Sequence, residues 1–187
     1  MNIDKLITMS DTKDVRLRGL DNELGRLAQG FQPNNVAGTN TINFIAKHTI
    51  PEGKKITYSN FVCDICPLKK EMYRVRMTVG GDKLDYPHNT ALPTAALLDT
   101  KLIINSTISD HKRYGSKFCS IDINDFFLQT IMDNPEYIRI HKKYFSPNVQ
   151  YALSKLINND GYVYCEINKG MYGLKQAAIL AYKQLVQ

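Results

Sequence analysis

The chain has 187 residues, 43% of them hydrophobic, enough apolar side chain for one sizeable core or two small lobes, which excludes a disordered polypeptide. Its 24 Lys and Arg against 18 Asp and Glu leave a net charge of +6, a balance that favours a polyanionic partner. No basic stretch leading into an apolar run opens the chain, and no apolar run approaches the ~20 residues that span a bilayer, so it reads as soluble, intracellular and cytoplasmic, neither secreted nor membrane-bound.

Leu17, Leu20, Leu24 and Leu27 recur at spacings of three and four, so residues 1–30 hold a short packing helix despite Gly19 and Gly25. Residues 29–40, rich in Gln, Pro, Asn and Gly, read as a loop and a boundary, which makes 1–40 a lead-in. A second region, 41–115, opens with strands, clearest at 43–47, 55–58 and 73–78, and the Gly80-Gly81-Asp82 turn closes them. From Lys47 to Lys83 there are eight Lys or Arg against four Asp or Glu, with Tyr58, Phe61 and Tyr73 interleaved. That mixture suits a phosphate backbone and stacked bases; a solvated face over a partly aromatic core is the competing reading. Residues 90–109 begin with Pro93-Thr94 and continue through Leu97, Leu98, Leu102, Ile104 and Ile108 as a capped helix.

In the third region, 116–187, strands are expected around Asp122, at 137–141 and, after the Asn159-Asp160-Gly161 turn, at 162–167, and the three can share a sheet. Leu174, Ala178, Ala181 and Leu185 then mark a helix over 174–187. Periodicity alone supports a mixed α and β class. Of the four cysteines, Cys63 and Cys66 form a lone C-x-x-C without a second pair at zinc-ribbon spacing or an adjacent His, so reduced structural thiols are expected.

The run from Lys117 to Leu128 carries the chemistry. In strand periodicity Phe118, Ser120 and Asp122 face one way and Cys119, Ile121 and Ile123 the other, leaving Asp122 accessible at a strand end, with Asp125 in the turn beyond. Two-metal phosphoryl transfer needs convergent carboxylates and donors that hold a triphosphate. An isolated D-x-x-D is weak by itself, because Asp is common in turns and helix caps.

The combination of motifs resembles the reverse transcriptase of copia-type long-terminal-repeat retrotransposons. Ser120-Ile-Asp-Ile-Asn-Asp-Phe-Phe-Leu128 is similar to that family's first catalytic motif, and Lys169-Gly-Met-Tyr-Gly-Leu-Lys-Gln-Ala177 to its YGLKQ motif. Tyr73-Arg-Val-Arg-Met-Thr-Val-Gly-Gly81 with Asp85-Tyr-Pro87 resembles the basic fingers segment, and Glu23-Leu-Gly-Arg-Leu-Ala-Gln-Gly30 the lead-in, so the likeness runs over nearly the whole chain. It implies an α+β fold: right-hand polymerase fingers over 41–115, then a partial palm over 116–187 with an antiparallel sheet backed by helices. It also implies that Asp122 is catalytic and binds Mg2+ with help from the Ile123 carbonyl, and that Asp125 lies beside the triphosphate. Phe127 would sit under the sugar and exclude a 2′-hydroxyl, Gln176 would contact the incoming nucleotide, and Lys175 would lie near template or phosphates. Arg74 and Arg76, which share a strand face, would grip the triphosphate. The ordinary alternatives are a core aromatic for Phe127 and a solvated strand face for the two arginines. The implied partners are an RNA or DNA primer-template and deoxynucleoside triphosphates, within a polyprotein that includes integrase and ribonuclease H and assembles into a virus-like particle.

The sequence departs from the family at one place: the pair of adjacent aspartates that completes the metal site does not follow Gln176. The expectation is therefore a fragment of an RNA-directed DNA polymerase, inactive alone because one carboxylate is a poor magnesium site. Two further readings compete with it, a non-catalytic nucleic-acid-binding remnant and a decayed transposon reading frame.

Overall fold

The computed structural model describes residues 3–68, 71–91 and 96–186. Lys69 and Lys70 of the basic segment, the expected Pro93-Thr94 helix start and Gln187 lie outside the described residues.

Two helices open the chain, α1 (Ile3–Leu6) and α2 (Ser10–Leu27). The leucine stripe is the inward face of α2: Leu20, Leu24 and Leu27 are buried and Leu17 packs against the same core. No N–H inside the helix reaches its last carbonyls, and the chain just beyond supplies donors. Thr39 N–H reaches Arg26 O at 2.7 Å, Asn40 N–H reaches Ala28 O at 2.9 Å and Thr41 N–H reaches Leu27 O at 2.7 Å. Within the expected loop, β1 (Gly30–Phe31) and β2 (Val36–Ala37) pair as a small antiparallel hairpin.

The remaining strands are β3 (Ile42–Ile45), β4 (Ile56–Ile65), β5 (Tyr73–Val79), β6 (Ile131–His141) and β7 (Tyr162–Lys169). They form one five-stranded sheet in the order β3-β7-β6-β4-β5, with strands drawn from both the second and third regions of the sequence. All pairs are antiparallel except β4 with β6, where Ile56 lies beside Tyr137. Strand β4 is long enough to pair twice, with β6 over its first residues and with β5 from Ser59 onward. Pro135 lacks an N–H for the ladder and lies where the β6/β7 register shifts, between Ile131 and Glu136. Alternation holds on β5, whose Val75, Met77 and Val79 are buried, whereas β7 buries Val163, Cys165 and Ile167 on one face and Tyr164 on the other. Helix α2 covers the β5 side. A Cβ on Gly19 would lie 3.0 Å from Tyr73 O and from Val75, so the missing side chain is what permits that approach.

The third region contributes α4 (Phe126–Gln129), α5 (Pro147–Ala152) and α6 (Ala177–Leu185). Before them, α3 (Leu97–Tyr114) overlaps the expected helix over 97–109, starts later and runs five residues further, and ends on Gly115 in the left-handed region at φ 66°. Its apolar residues do not reach the core: Leu97, Leu98, Leu102 and Ile108 are all exposed.

The strand expected around Asp122 is not formed. Residues 116–123 run outside the sheet, and among the described residues no strand lies beside them. Alternation sets which side chains a strand would bury, but a strand exists only where a neighbour completes its ladder. Of the three strands expected to share a sheet, β6 and β7 pair directly and the Asp122 segment stays apart. The fold is thus α+β. Among the described residues no helix is long and apolar enough to cross a membrane.

Cys63 points into the core from β4, whereas Cys66 follows the strand end. Three residues of extended chain separate their Cα atoms by about 10 Å, beyond disulfide reach, so the C-x-x-C does not converge. Burial raises the pKa of both Cys63 and the fully enclosed Cys165, as expected of inert core thiols.

Candidate functional site

Three segments meet at the end of β5. The first is the strand end itself, residues 79–84; the second is the turn carrying Asp125 and Phe127; the third is the loop from Gly170 to Gln176. Val79 N–H donates to Tyr172 O at 2.8 Å, and Lys175 Nζ to Leu84 O at 2.8 Å. Backbones touch where glycines allow it: a Cβ on Gly173, at φ 94°, would stand 2.1 Å from Val79 O, and one on Gly81 would stand 2.0 Å from Gly173 O. On the other side of the loop, Gly170 N–H donates to Thr130 O at 2.7 Å, and its missing Cβ leaves room for Phe127 O. The half-buried Phe127 ring meets Tyr172 edge-on, with centroids 5.3 Å apart.

Asp125 starts this turn in the left-handed region, at φ 52° and ψ 31°, a conformation that Asp tolerates better than most residues. Its carboxylate accepts from Arg26 Nη1 at 2.6 Å. The same guanidinium holds Glu23 Oε2 at 2.8 Å, and Glu23 Oε1 accepts the Met77 N–H of β5 at 2.9 Å. Helix, sheet and turn are thereby joined through one arginine. Burial opposes the Arg26 charge, but Glu23 and Asp125 outweigh it, and its pKa stands above the ordinary value.

Gln176 is buried and turned inward, its Nε2 donating to Glu136 Oε1 at 3.1 Å. Burial raises the Glu136 pKa, while the Gln176 hydrogen bond and Lys54 pull it down. Both residues line a cavity of about 400 Å³ together with Lys54, Tyr86, His88 and Lys183. Arg74 and Arg76 share the face of β5 opposite Val75 and Met77; Arg76 is exposed and Arg74 half-buried. Among the described residues neither has an ion-pair partner. Comparison with protein-family profiles, curated proteins and solved structures gives no match.

The structure thus brings Asp125, Phe127 and Lys175 into one corner, sets Gln176 beneath it against Glu136, and aligns Arg74 with Arg76 on the adjoining strand. Asp122 and Ile123 are not part of that corner. Both are exposed, and Asp122 makes no hydrogen bond or ion pair among the described residues. Nor do three or more His, Cys, Asp or Glu gather anywhere among those residues. The donors at Asp122, one carboxylate and a neighbouring carbonyl, fall short of the convergent oxygens that fix a magnesium ion, so the residues present do not fit that ion.

Sequence reasoning missed Glu23, Arg26, Tyr172 and Glu136. Glu23 and Arg26 carried a signal, a charged i, i+3 pair on the flank of the leucine stripe, with Glu23 three residues after Leu20 and four before Leu27, and Tyr172 sits inside the glycine-containing motif. Nothing local marks Glu136 as the partner of Gln176.

Proposed function

We propose that this chain forms the fingers and part of the palm of a copia-type retrotransposon reverse transcriptase, supplying the deoxynucleotide pocket and a primer-template surface of an RNA-directed DNA polymerase. The observation that carries this reading is the docking of Phe127 on Tyr172, because it packs the two motifs of the resemblance against one another at the end of the basic strand. In this role the Phe127 ring bounds the sugar position and disfavours a 2′-hydroxyl. Arg74 and Arg76, without an ion-pair partner among the described residues, offer their guanidinium groups to phosphates. Arg26 acts as a positioning residue that holds the Asp125 turn, and Glu136 orients Gln176. Nucleotidyl transfer requires carboxylates beyond Asp122, so the chain alone binds without catalysing.

A non-catalytic nucleic-acid-binding role is the second reading, favoured by the same pairing of those arginines with a solitary Asp122. Fluorescence anisotropy with a labelled RNA/DNA primer-template, titrated with salt, tests what the two share. Affinity should fall steeply with salt, and replacing Arg74 and Arg76 together by Ala should lower the slope of log K against log salt by about two. Binding that ignores salt, or a slope unmoved by the double substitution, overturns both readings. A preference for deoxynucleotides over ribonucleotides that is lost in Phe127→Ala selects the polymerase. Deoxynucleotide incorporation by the isolated chain would show instead that its metal site is complete.

A further inference from the structure

On the side of α2 away from Arg26, a cavity of about 330 Å³ lies between that helix, the β1/β2 hairpin, β3 and α5. Asp21, Leu24, Gly25 and Ala28 reach it at i, i+3, i+4 and i+7, one stripe of the helix, whereas Glu23 and Arg26 leave the opposite face. Gly25 brings the hairpin this close, since a Cβ there would stand 2.5 Å from the Phe31 Cβ.

The walls are mainly apolar, built from Leu24, Phe31, Phe44, Val149 and Leu153. Asp21 breaks the pattern. It is 6% exposed, and Ser146 is its partner, through the N–H at 3.3 Å and through the side chain. No Lys, Arg or His lines the cavity, and among the described residues Asp21 has no ion-pair partner. Burial raises its pKa, outweighing the Ser146 hydrogen bonds that pull it down. A carboxylate withdrawn from water is stabilised by a cation at hydrogen-bonding distance, and none of the described residues supplies one. The volume is that of a small-molecule site, apolar with one polar anchor.

We propose that this cavity binds a small arylalkyl amine, its ammonium group paired with Asp21 and its ring against Phe31, Phe44 and Leu153. The site lies outside the Arg26–Asp125 corner and does not depend on the polymerase reading. Charge complementarity selects the amine over neutral or acidic ligands of the same shape, and the two phenylalanine rings favour an aromatic body.

Titration of the 15N-labelled chain with phenethylamine, and separately with the neutral isostere 2-phenylethanol, tests this by NMR. Phenethylamine should shift the amides of Gly25, Gly30 and Leu153 and bind about tenfold or more tighter than the alcohol. Asp21→Asn, which keeps an acceptor for Ser146 N–H, should abolish the difference between the two. Equal binding of amine and alcohol by the unsubstituted chain overturns the proposal, whatever the variant does. So does amine binding unchanged in Asp21→Asn, or the absence of shifts at those three amides with several millimolar amine.

Discussion

Arg26 and Asp125 stand 99 residues apart in sequence and 2.6 Å apart in the fold, and their ion pair ties the second helix to the turn that presents Phe127. The pair is asymmetric in its surroundings. Asp125 keeps 41% of its side chain exposed, whereas Glu23, the other carboxylate on the same guanidinium, keeps 4%.

This asymmetry makes the two truncations unequal. Arg26→Ala leaves Glu23 buried without a cation and should cost about 3 kcal/mol, the range for breaking a buried pair. Asp125→Ala removes a partly solvated partner and should cost under about 1 kcal/mol. Urea unfolding of both single variants and the double variant measures this. Equal losses in the two single variants would mean that Glu23 is not the origin of the effect.

Gly173 separates close approach from backbone strain. With φ at 94° and a would-be Cβ 2.1 Å from Val79 O, Gly173→Ala should destabilise by about 3 kcal/mol or more and release the loop from β5. Gly53, also at positive φ (81°), has nothing within 4 Å, so Gly53→Ala should cost about 1 kcal/mol from conformation alone. Thermal midpoints of the two variants give the comparison, and similar losses would remove the Val79 contact as the cause.

Glu136 predicts a pH dependence of definite sign. Burial raises its folded-state pKa above 4.5, so the folded chain binds this proton more readily than the unfolded chain. Its contribution is therefore greatest below 4.5 and is lost as pH rises through the folded value. Glu136→Gln keeps an acceptor for Gln176 and removes the charge, so it should raise stability at neutral pH and flatten this part of the profile. Urea midpoints between pH 4 and 8 test it; a variant less stable than the parent at pH 7.5 would show that the ionised carboxylate contributes more than its burial costs.

Much of the framework was legible because burial repeats locally. The leucines of α2 and the alternation in β5 and β7 each state which side faces the core, and each element lies where that pattern places it. The Asp122 segment alternates just as clearly and still is not a strand, since alternation carries no information about whether a neighbour is present to complete the ladder. The parallel pairing of Ile56 beside Tyr137 was not legible either, nor was the inward turn of Gln176 toward Glu136, because both depend on segments far away in the chain.

By itself the sequence determined a mixed α and β class, most of the helices and strands, and the two motifs that suggest a nucleotide site. Only the tertiary structure decided that Asp125, Phe127 and Lys175 share a corner while Asp122 stands outside it. The physical reason is range: periodicity reports one element and the face it buries, whereas a site is made by contacts between elements. Here those contacts rest on an arginine from α2 and on glycines that let the backbones touch.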